Sequence, residues 1–545
     1  MVAQSERLRA FFNNRWLVFV ASMWVQSFAG VGYLFGSISP MIKSTMGYNQ
    51  KQVSYLGVAK NLGDCIGFIA GALCEILPFW GVLSIGVLQT FVGYGFLWLI
   101  IANRLTTLPL WVLFIAIFVG TNGETYYNTA ALVSCVLNFP DSRGPIVGIL
   151  KGFAGLSGAI LSQMYHIFST SNRTSLILTI AIAPSIVVLS LMFSIRYVEG
   201  HRQQRPSDNL SFSFVYGVCL VLAAYLMSSL LLEDYLSQSL IIFCSIILLS
   251  ILLLPLVVPI ALSFSSEVHD PIEESLLPGE LSESVQDKPE AIIGEVETEA
   301  DSKKRGPKLG ENFILRQALG KADLWLLFVS LVLGSGSGIT IIDNMGQICE
   351  SLGYSNTRIF VSIISICNFL GRVGGGYLSE LIVRNYAYPR LVALAIVQAI
   401  LAFGLLYYAM GWPAAIYMLT VLTSLGYGAH WGIAPAAVSE MFGLKCFGAL
   451  YNFVILAMPT GSFIFSSILA SRVYDYYAEK QAGNVDIKLI MQLTAEDSLT
   501  CMGSVCYSIT CAILTGVVCI AVVLNLIVVR RTRSVYAHLY AKSQT

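Results

Sequence analysis

Apolar residues in this chain come in long runs instead of alternating with polar ones. Runs of bilayer-crossing length, about 20 residues, fall at 16–38, 53–77, 79–102, 109–137, 144–168 and 175–198. Two more follow at 212–232 and 239–264. After a polar stretch come six others, at 322–343, 358–383, 389–410, 412–438, 446–470 and 502–530. About fourteen spanning helices are therefore expected, grouped six, two, six, in an all-α polytopic membrane protein. The first run is too long for a signal-peptide core and reads as a retained span.

The two groups of six repeat each other. Trp16-Leu-Val-Phe-Val answers Trp325-Leu-Leu-Phe-Val, Gly30 and Gly32 answer Gly336 and Gly338, and Ala131-Leu-Val-Ser134 answers Ala436-Ala-Val-Ser439. Gly71-Ala-Leu-Cys-Glu75 answers Gly376-Tyr-Leu-Ser-Glu380. Order and spacing persist across four helices, which chance would not preserve. Six is an even number, so both groups enter the membrane from the same side and the repeats are parallel. The expected organisation is an N-terminal bundle (1–198), two additional helices (199–264), a disordered cytosolic linker (265–321) and a C-terminal bundle with a short tail (322–545).

Composition agrees. The 545 residues are 56% hydrophobic and only 12% charged, about half the charged share of soluble domains. Lys+Arg and Asp+Glu are both 32, a balance that gives no reason to expect a nucleic-acid partner. The basic residues gather on the side holding both termini, which the positive-inside rule makes cytosolic; plasma membrane and endomembrane stay equally open. Residues 267–301 are acidic and rich in Pro, Gly and Ser, and Lys303-Lys304-Arg305 follows. That composition predicts disorder and a docking segment for sorting or regulatory proteins, since Glu273-Glu-Ser-Leu-Leu277 resembles an acidic dileucine signal. The Asn172-Arg-Thr174 sequon faces outward but sits too close to the membrane to be glycosylated. The 12 cysteines form no zinc-type spacing and read as small buried hydrophobes; a Cys349–Cys501 bridge near the outer face is an open alternative. With no phosphate loop, metal cluster or nucleophile elbow, neither a pump, an enzyme nor a cofactor is expected.

Two parallel six-helix repeats are the plan of the major facilitator superfamily, with a site at the midplane between halves. The G-x-L-x-E segments resemble that superfamily's loop motif, with Glu for the usual Asp. The basic residues that normally follow are missing after Glu75, and only Arg384 is available after Glu380. The runs TNGETYYNTAALVSCVLNFPDSRGPIVGILKGFAGLSGAI (121–160) and PAAVSEMFGLKCFGALYNF (435–453) resemble the plant nodulin-like family. That family includes proteins named for defective nuclear fusion and is similar to oxalate/formate antiporters and monocarboxylate transporters. The resemblance implies fold and class, not cargo.

An ionisable group at mid-bilayer costs roughly 2.5–3.5 kcal/mol on insertion scales, so the few inside the spans are the candidate chemistry. Arg372 lies roughly 20 Å from the outer face beside three glycines. Its fork can grip a carboxylate through two parallel hydrogen bonds. The spacing Asn368-x-x-x-Arg372 resembles the D-x-x-x-R helix of monocarboxylate transporters. Arg372 reads either as an anion ligand or as half of a structural pair with Glu380. Glu124, in a polar run, and Lys151, at a matching depth, are expected to pair, for structure and gating or for substrate and proton work. Lys60 and Asp64 share a helix face and read as a self-satisfied pair or as a proton site. His430, in register with Glu124, reads as a proton carrier or as a packing histidine. The leading expectation is a secondary carrier of a small organic anion, coupled to protons. The competing one is a receptor or assembly platform on the same scaffold.

Overall fold

The computed structural model describes residues 11–30, isolated positions between 31 and 49, and 50–102, 104, 108–168, 174–198, 206–232, 237–264, 307–354, 358–482 and 501–541. The first half comprises α1 (Arg15–Gln26), α2 (Gln50–Cys65), α3 (Phe68–Ile76), α4 (Phe79–Ile101), α5 (Leu110–Asn138), α6 (Arg143–Phe168) and α7 (Thr174–Leu191). The additional segment is α8 (Pro206–Leu232), α9 (Gln238–Leu253) and α10 (Val257–Phe264). After α11 (Leu315–Leu319), the second half comprises α12 (Ala322–Asp343), α13 (Met345–Ser351), α14 (Arg358–Tyr386), α15 (Leu391–Ala409) and α16 (Ala415–Phe442). It closes with α17 (Phe447–Ile455), α18 (Ala457–Ser462), a π-helical turn (Phe463–Ala470), α19 (Ser471–Ala482) and α20 (Val505–Ala541). Each predicted span overlaps at least one of these helices, and the spans 53–77, 239–264 and 446–470 are each divided among two or more.

Local chemistry sets the boundaries. The Asn14 side chain accepts from Trp16 N at 2.9 Å and opens α1. Pro78 and Pro109, in extended backbone, precede α4 and α5, where a missing N–H is harmless. The expected span 53–77 breaks at Ile66-Gly67. Asn122 Nδ2 donates to the freed carbonyls of Gly63 and Ile66 at 3.0 and 2.8 Å, as exposed backbone inside a membrane requires. Position 67 has no room for a side chain, since a Cβ there would lie 1.9 Å from Asn452 Oδ1.

Among the described residues, ten helices are long and apolar enough to cross a membrane. The buried polar runs inside α5 and α16 set those two apart from ordinary lipid-facing spans. The outer surface carries Leu88, Trp111, Phe193 and Leu210, each more than three-fifths exposed, as a hydrocarbon solvent allows and water would not.

The additional helices ride on the first half. Arg15 donates to Asp208 at 2.5 Å, Trp16 Nε1 to the same carboxylate at 3.0 Å, and Trp24 Nε1 to Leu252 O at 2.7 Å. Trp16 packs against Phe139 and Phe212 with ring centroids 5.2 and 4.8 Å apart. Against the second half α8 packs on α14, with the Tyr216 and Tyr377 rings 5.1 Å apart and Arg384 donating to Asn209 at 3.4 Å.

Three expectations need correction. The linker read as disordered over 265–321 is ordered from position 307. There Gly310 N and Phe313 N donate to Met441 O and Phe442 O, so its last residues zip onto the end of α16. The last helix continues beyond the expected apolar run, to Ala541, and Arg531 on that extension reaches Asp323 at 2.5 Å. Cys501 bonds Cys506, and Cys349 is a buried free thiol. Asn172, the 273–277 segment and the rest of the linker lie outside the described residues.

Candidate functional site at the seam between halves

The halves meet where side chains are missing. A Cβ on Gly376 of α14 would lie 2.4 Å from the Gly144 carbonyl oxygen of α6, and one on Gly148 would lie 2.7 Å from Arg372 O. On the other flank a Cβ on Gly71 of α3 would lie 2.5 Å from Gly448 O of α17. Backbones therefore touch at both places. Both contacts lie toward one end of the bundle, here called the basal end, where Glu75, Glu380 and the tail of α20 gather. The Cys501–Cys506 disulfide marks the opposite end.

Charge reinforces the α6–α14 contact. Arg390, fully buried, sits 2.7 Å from Glu380 and 2.6 Å from Glu440. Its Nη2 lies between the two carboxylates but off the hydrogen-bonding direction, while Nε donates to Glu440 at 2.8 Å. Burial opposes the Arg390 charge, but the two carboxylates outweigh it and hold its pKa above the usual value. Arg384 Nε donates to Glu380 at 2.7 Å, and Gly144 N of the first half donates to the other Glu380 oxygen at 3.1 Å. Arg384 also reaches Ser142 Oγ, and Arg143 reaches Ser439 Oγ, at 3.1 and 3.2 Å. Tyr540, near the end of α20, donates to Glu440 at 2.6 Å. Arg390 and Glu440 escaped the sequence reading, although a lone arginine heading an apolar run was visible. In the first half Glu75 is exposed. Beside it the Cys446 thiol is pushed up to about 11 by burial first and by Glu75 second.

Above this clamp lies a buried polar cluster. Arg372 Nε donates to Asn368 Oδ1 at 3.1 Å, and Nη1 crosses the seam to the Lys151 carbonyl oxygen at 2.6 Å. Lys151 Nζ donates to Asn128 Oδ1 at 2.9 Å and to the Tyr451 hydroxyl, and it stands 4.6 Å from the centre of the Tyr451 ring. Gln26 Nε2 donates to Asn128 Oδ1 at 3.0 Å, and Asn452 Nδ2 to Thr129 Oγ1 at 3.1 Å. One cation thus comes from each half, and Asn128, Gln26 and Tyr451 complete the cluster. Those three escaped the sequence reading, because asparagine, glutamine and tyrosine are common in helices and only contact singles them out.

The other candidates fall around this cluster. The expected Glu124–Lys151 pair is corrected: Lys151 reaches Asn128, one turn further along α5, while Glu124 accepts from the Tyr94 hydroxyl at 3.2 Å. Lys60 and Asp64 lie half-buried on α2, and Asp64 is within electrostatic reach of both Lys60 and Lys151. His430 is buried inside the second half, away from the seam. Its Nδ1 faces Gly426 O at 2.7 Å, so Nδ1 carries the proton and Nε2 accepts from Gln398 at 3.2 Å. Gln398 in turn donates to Ser330 and accepts from Asn525 at 2.7 Å. Those partners pack the His430 ring within the second half.

The fold is that of the major facilitator superfamily. The proton:xylose symporter XylE aligns over 95% of each chain with a TM-score of 0.53 at 12% identity. The chain matches two family descriptions, Nodulin-like over residues 15–260 and the NFD4 C-terminal domain over residues 309–538. Protein NUCLEAR FUSION DEFECTIVE 4 of Arabidopsis thaliana is 27% identical over 98% of this chain and 91% of its own length. Probable transporter MCH1 of Gibberella zeae is 26% identical over 38% of this chain and 42% of its own.

Proposed function

We propose that this protein is a secondary active transporter that carries a small organic anion by alternating access, with a proton as the coupling ion. The observation that carries the reading is the pair of buried cations, Arg372 and Lys151, contributed by opposite halves to one polar cluster. A guanidinium keeps its charge at any physiological pH and binds a carboxylate through a planar fork, and an adjacent ammonium adds a point charge. Asp64, within reach of Lys60 and Lys151, is the group we assign to the proton. Glu124 is buried against Tyr94 and has a structural place in the first half. The clamp at Glu380, Arg384 and Arg390 serves as the basal gate. We place that end and both termini in the cytosol: basic residues collect there, and the Cys501–Cys506 bridge at the other end suits an oxidising compartment.

The test is uptake of small carboxylates into proteoliposomes, with and without a pH gradient. Uptake is expected to be driven by an acidic outer face. Arg372→Lys keeps the charge and loses the fork, and should weaken apparent affinity by about tenfold or more, the worth of a hydrogen bond to a charged group. Absence of flux for every carboxylate tried, together with no thermal stabilisation by any of them, would sink the anion reading.

A further inference from the structure

We infer that Tyr451 is a positioning residue: it occupies Lys151 while the site is empty and yields it to the transported anion, so that loading the site removes a contact between the halves. The inference rests on the anion reading above.

Lys151 belongs to α6 of the first half and Tyr451 to α17 of the second. The ammonium takes the Tyr451 hydroxyl as one acceptor, Asn128 of its own half as another, and the Tyr451 ring face as a third partner. An ammonium has three donors, so these partners occupy it. The Tyr451 side chain is 1% exposed and is backed by the Phe447 ring, with centroids 5.8 Å apart. It cannot swing away without α17 moving.

The neighbouring residues show what such a movement does. Gly448, three residues before Tyr451, meets Gly71 of α3, and Asn452, the next residue, bonds Thr129 of α5. One short stretch of α17, 448–452, thus touches α3, α5 and α6 of the first half. Opening the basal end must lift this stretch off, and the Lys151–Tyr451 contact breaks with it.

A carboxylate is a stronger partner for an ammonium than a neutral phenol, because both members of the hydrogen bond then carry charge. An anion arriving beside Arg372 and Lys151 therefore displaces the hydroxyl. Its differential affinity for the two states is what shifts the equilibrium. The empty protein stays shut at the basal end, and the loaded one is released to open. Tyr451 thereby suppresses movement of the unloaded carrier.

Tyr451→Phe keeps the ring and its packing and removes only the hydroxyl. The readout is the alkylation rate of native Cys446, which is 7% exposed on the same seam beside Glu75. It is measured by mass spectrometry in proteoliposomes with a membrane-permeant maleimide and no carboxylate present. The Phe variant should label about tenfold faster than the wild type, the effect of losing one hydrogen bond to a charged group. Lys151→Met, which deletes the same contact from the other side, should label as fast. An unchanged rate in both variants, with thermal midpoints like the wild type, overturns the inference. This measurement needs no substrate. Failure to find a transported anion would strike the anion reading alone, and failure of the labelling would strike Tyr451's role alone.

Discussion

The two copies of G-x-L-x-E began as one element and now do different work. In the second half Glu380 is buried between Arg384 and Arg390 and accepts from Gly144 of the opposite half. In the first half Glu75 is exposed, with no arginine in the residues that follow it. Both copies keep the glycine that lets backbones touch, Gly376 on Gly144 and Gly71 on Gly448. The common part of the repeat is therefore close packing, and the charged clamp is an addition to one seam only. On the α6–α14 flank charge-assisted hydrogen bonds join the halves, from Gly144 N to Glu380, from Arg384 to Ser142 and from Arg143 to Ser439. On the α3–α17 flank backbone contacts and the Thr129–Asn452 hydrogen bond join them. On the proposed transport reading, such a molecule would have one strongly held edge and one softer edge.

The largest effect should come from Arg390→Ala. It leaves Glu380 and Glu440 facing each other without their shared cation, and breaking such a buried pair costs about 3–5 kcal/mol. A large fall in the thermal midpoint of the purified protein is expected, and restoring activity with Lys at 390 would weaken the geometric part of the account. Next comes wedging the seams: Gly376→Leu and Gly71→Leu each force in a side chain where none fits, at about 1–3 kcal/mol. If packing is the shared element, both should hold the basal end ajar and raise Cys446 labelling alike. A response from Gly376→Leu alone would mean that only the charged seam closes. The smallest and most discriminating comparison is between the two acids. Glu380→Gln should loosen the basal gate measurably, while Glu75→Gln, an exposed change, should stay within about 0.5 kcal/mol of wild type. Equal effects from both would erase the asymmetry.

Much of the architecture was legible in the chain because crossing a membrane is a local demand. Each span must satisfy its own backbone hydrogen bonds and face hydrocarbon, so run length alone marks it. The parallel repeat followed from ordered matches such as Trp16 with Trp325. The rarity of charge in hydrocarbon then picked out Arg372, Lys151 and Glu124, and all three are buried. Partner choice was not legible. Depth along two helices placed Glu124 level with Lys151, but their rotation about the helix axes turned the lysine to Asn128 and Tyr451 instead. His430 shared a register with Glu124, yet Gln398 and Gly426 absorb it within one half. Arg390 looked like a residue at the head of a span and proved to be the centre of the basal clamp, because Glu380 and Glu440 converge on it from two other helices.

The sequence by itself determined the membrane-spanning helices, their pairing into two parallel bundles and the short roster of charges inside them, since each is a property of composition and spacing along one strand of chain. Only the tertiary structure decided which of those charges gather at the seam and which of the two related motifs gained a charged clamp. Those outcomes depend on how neighbouring helices are rotated and how closely glycine lets them approach, and neither quantity is written in any single segment.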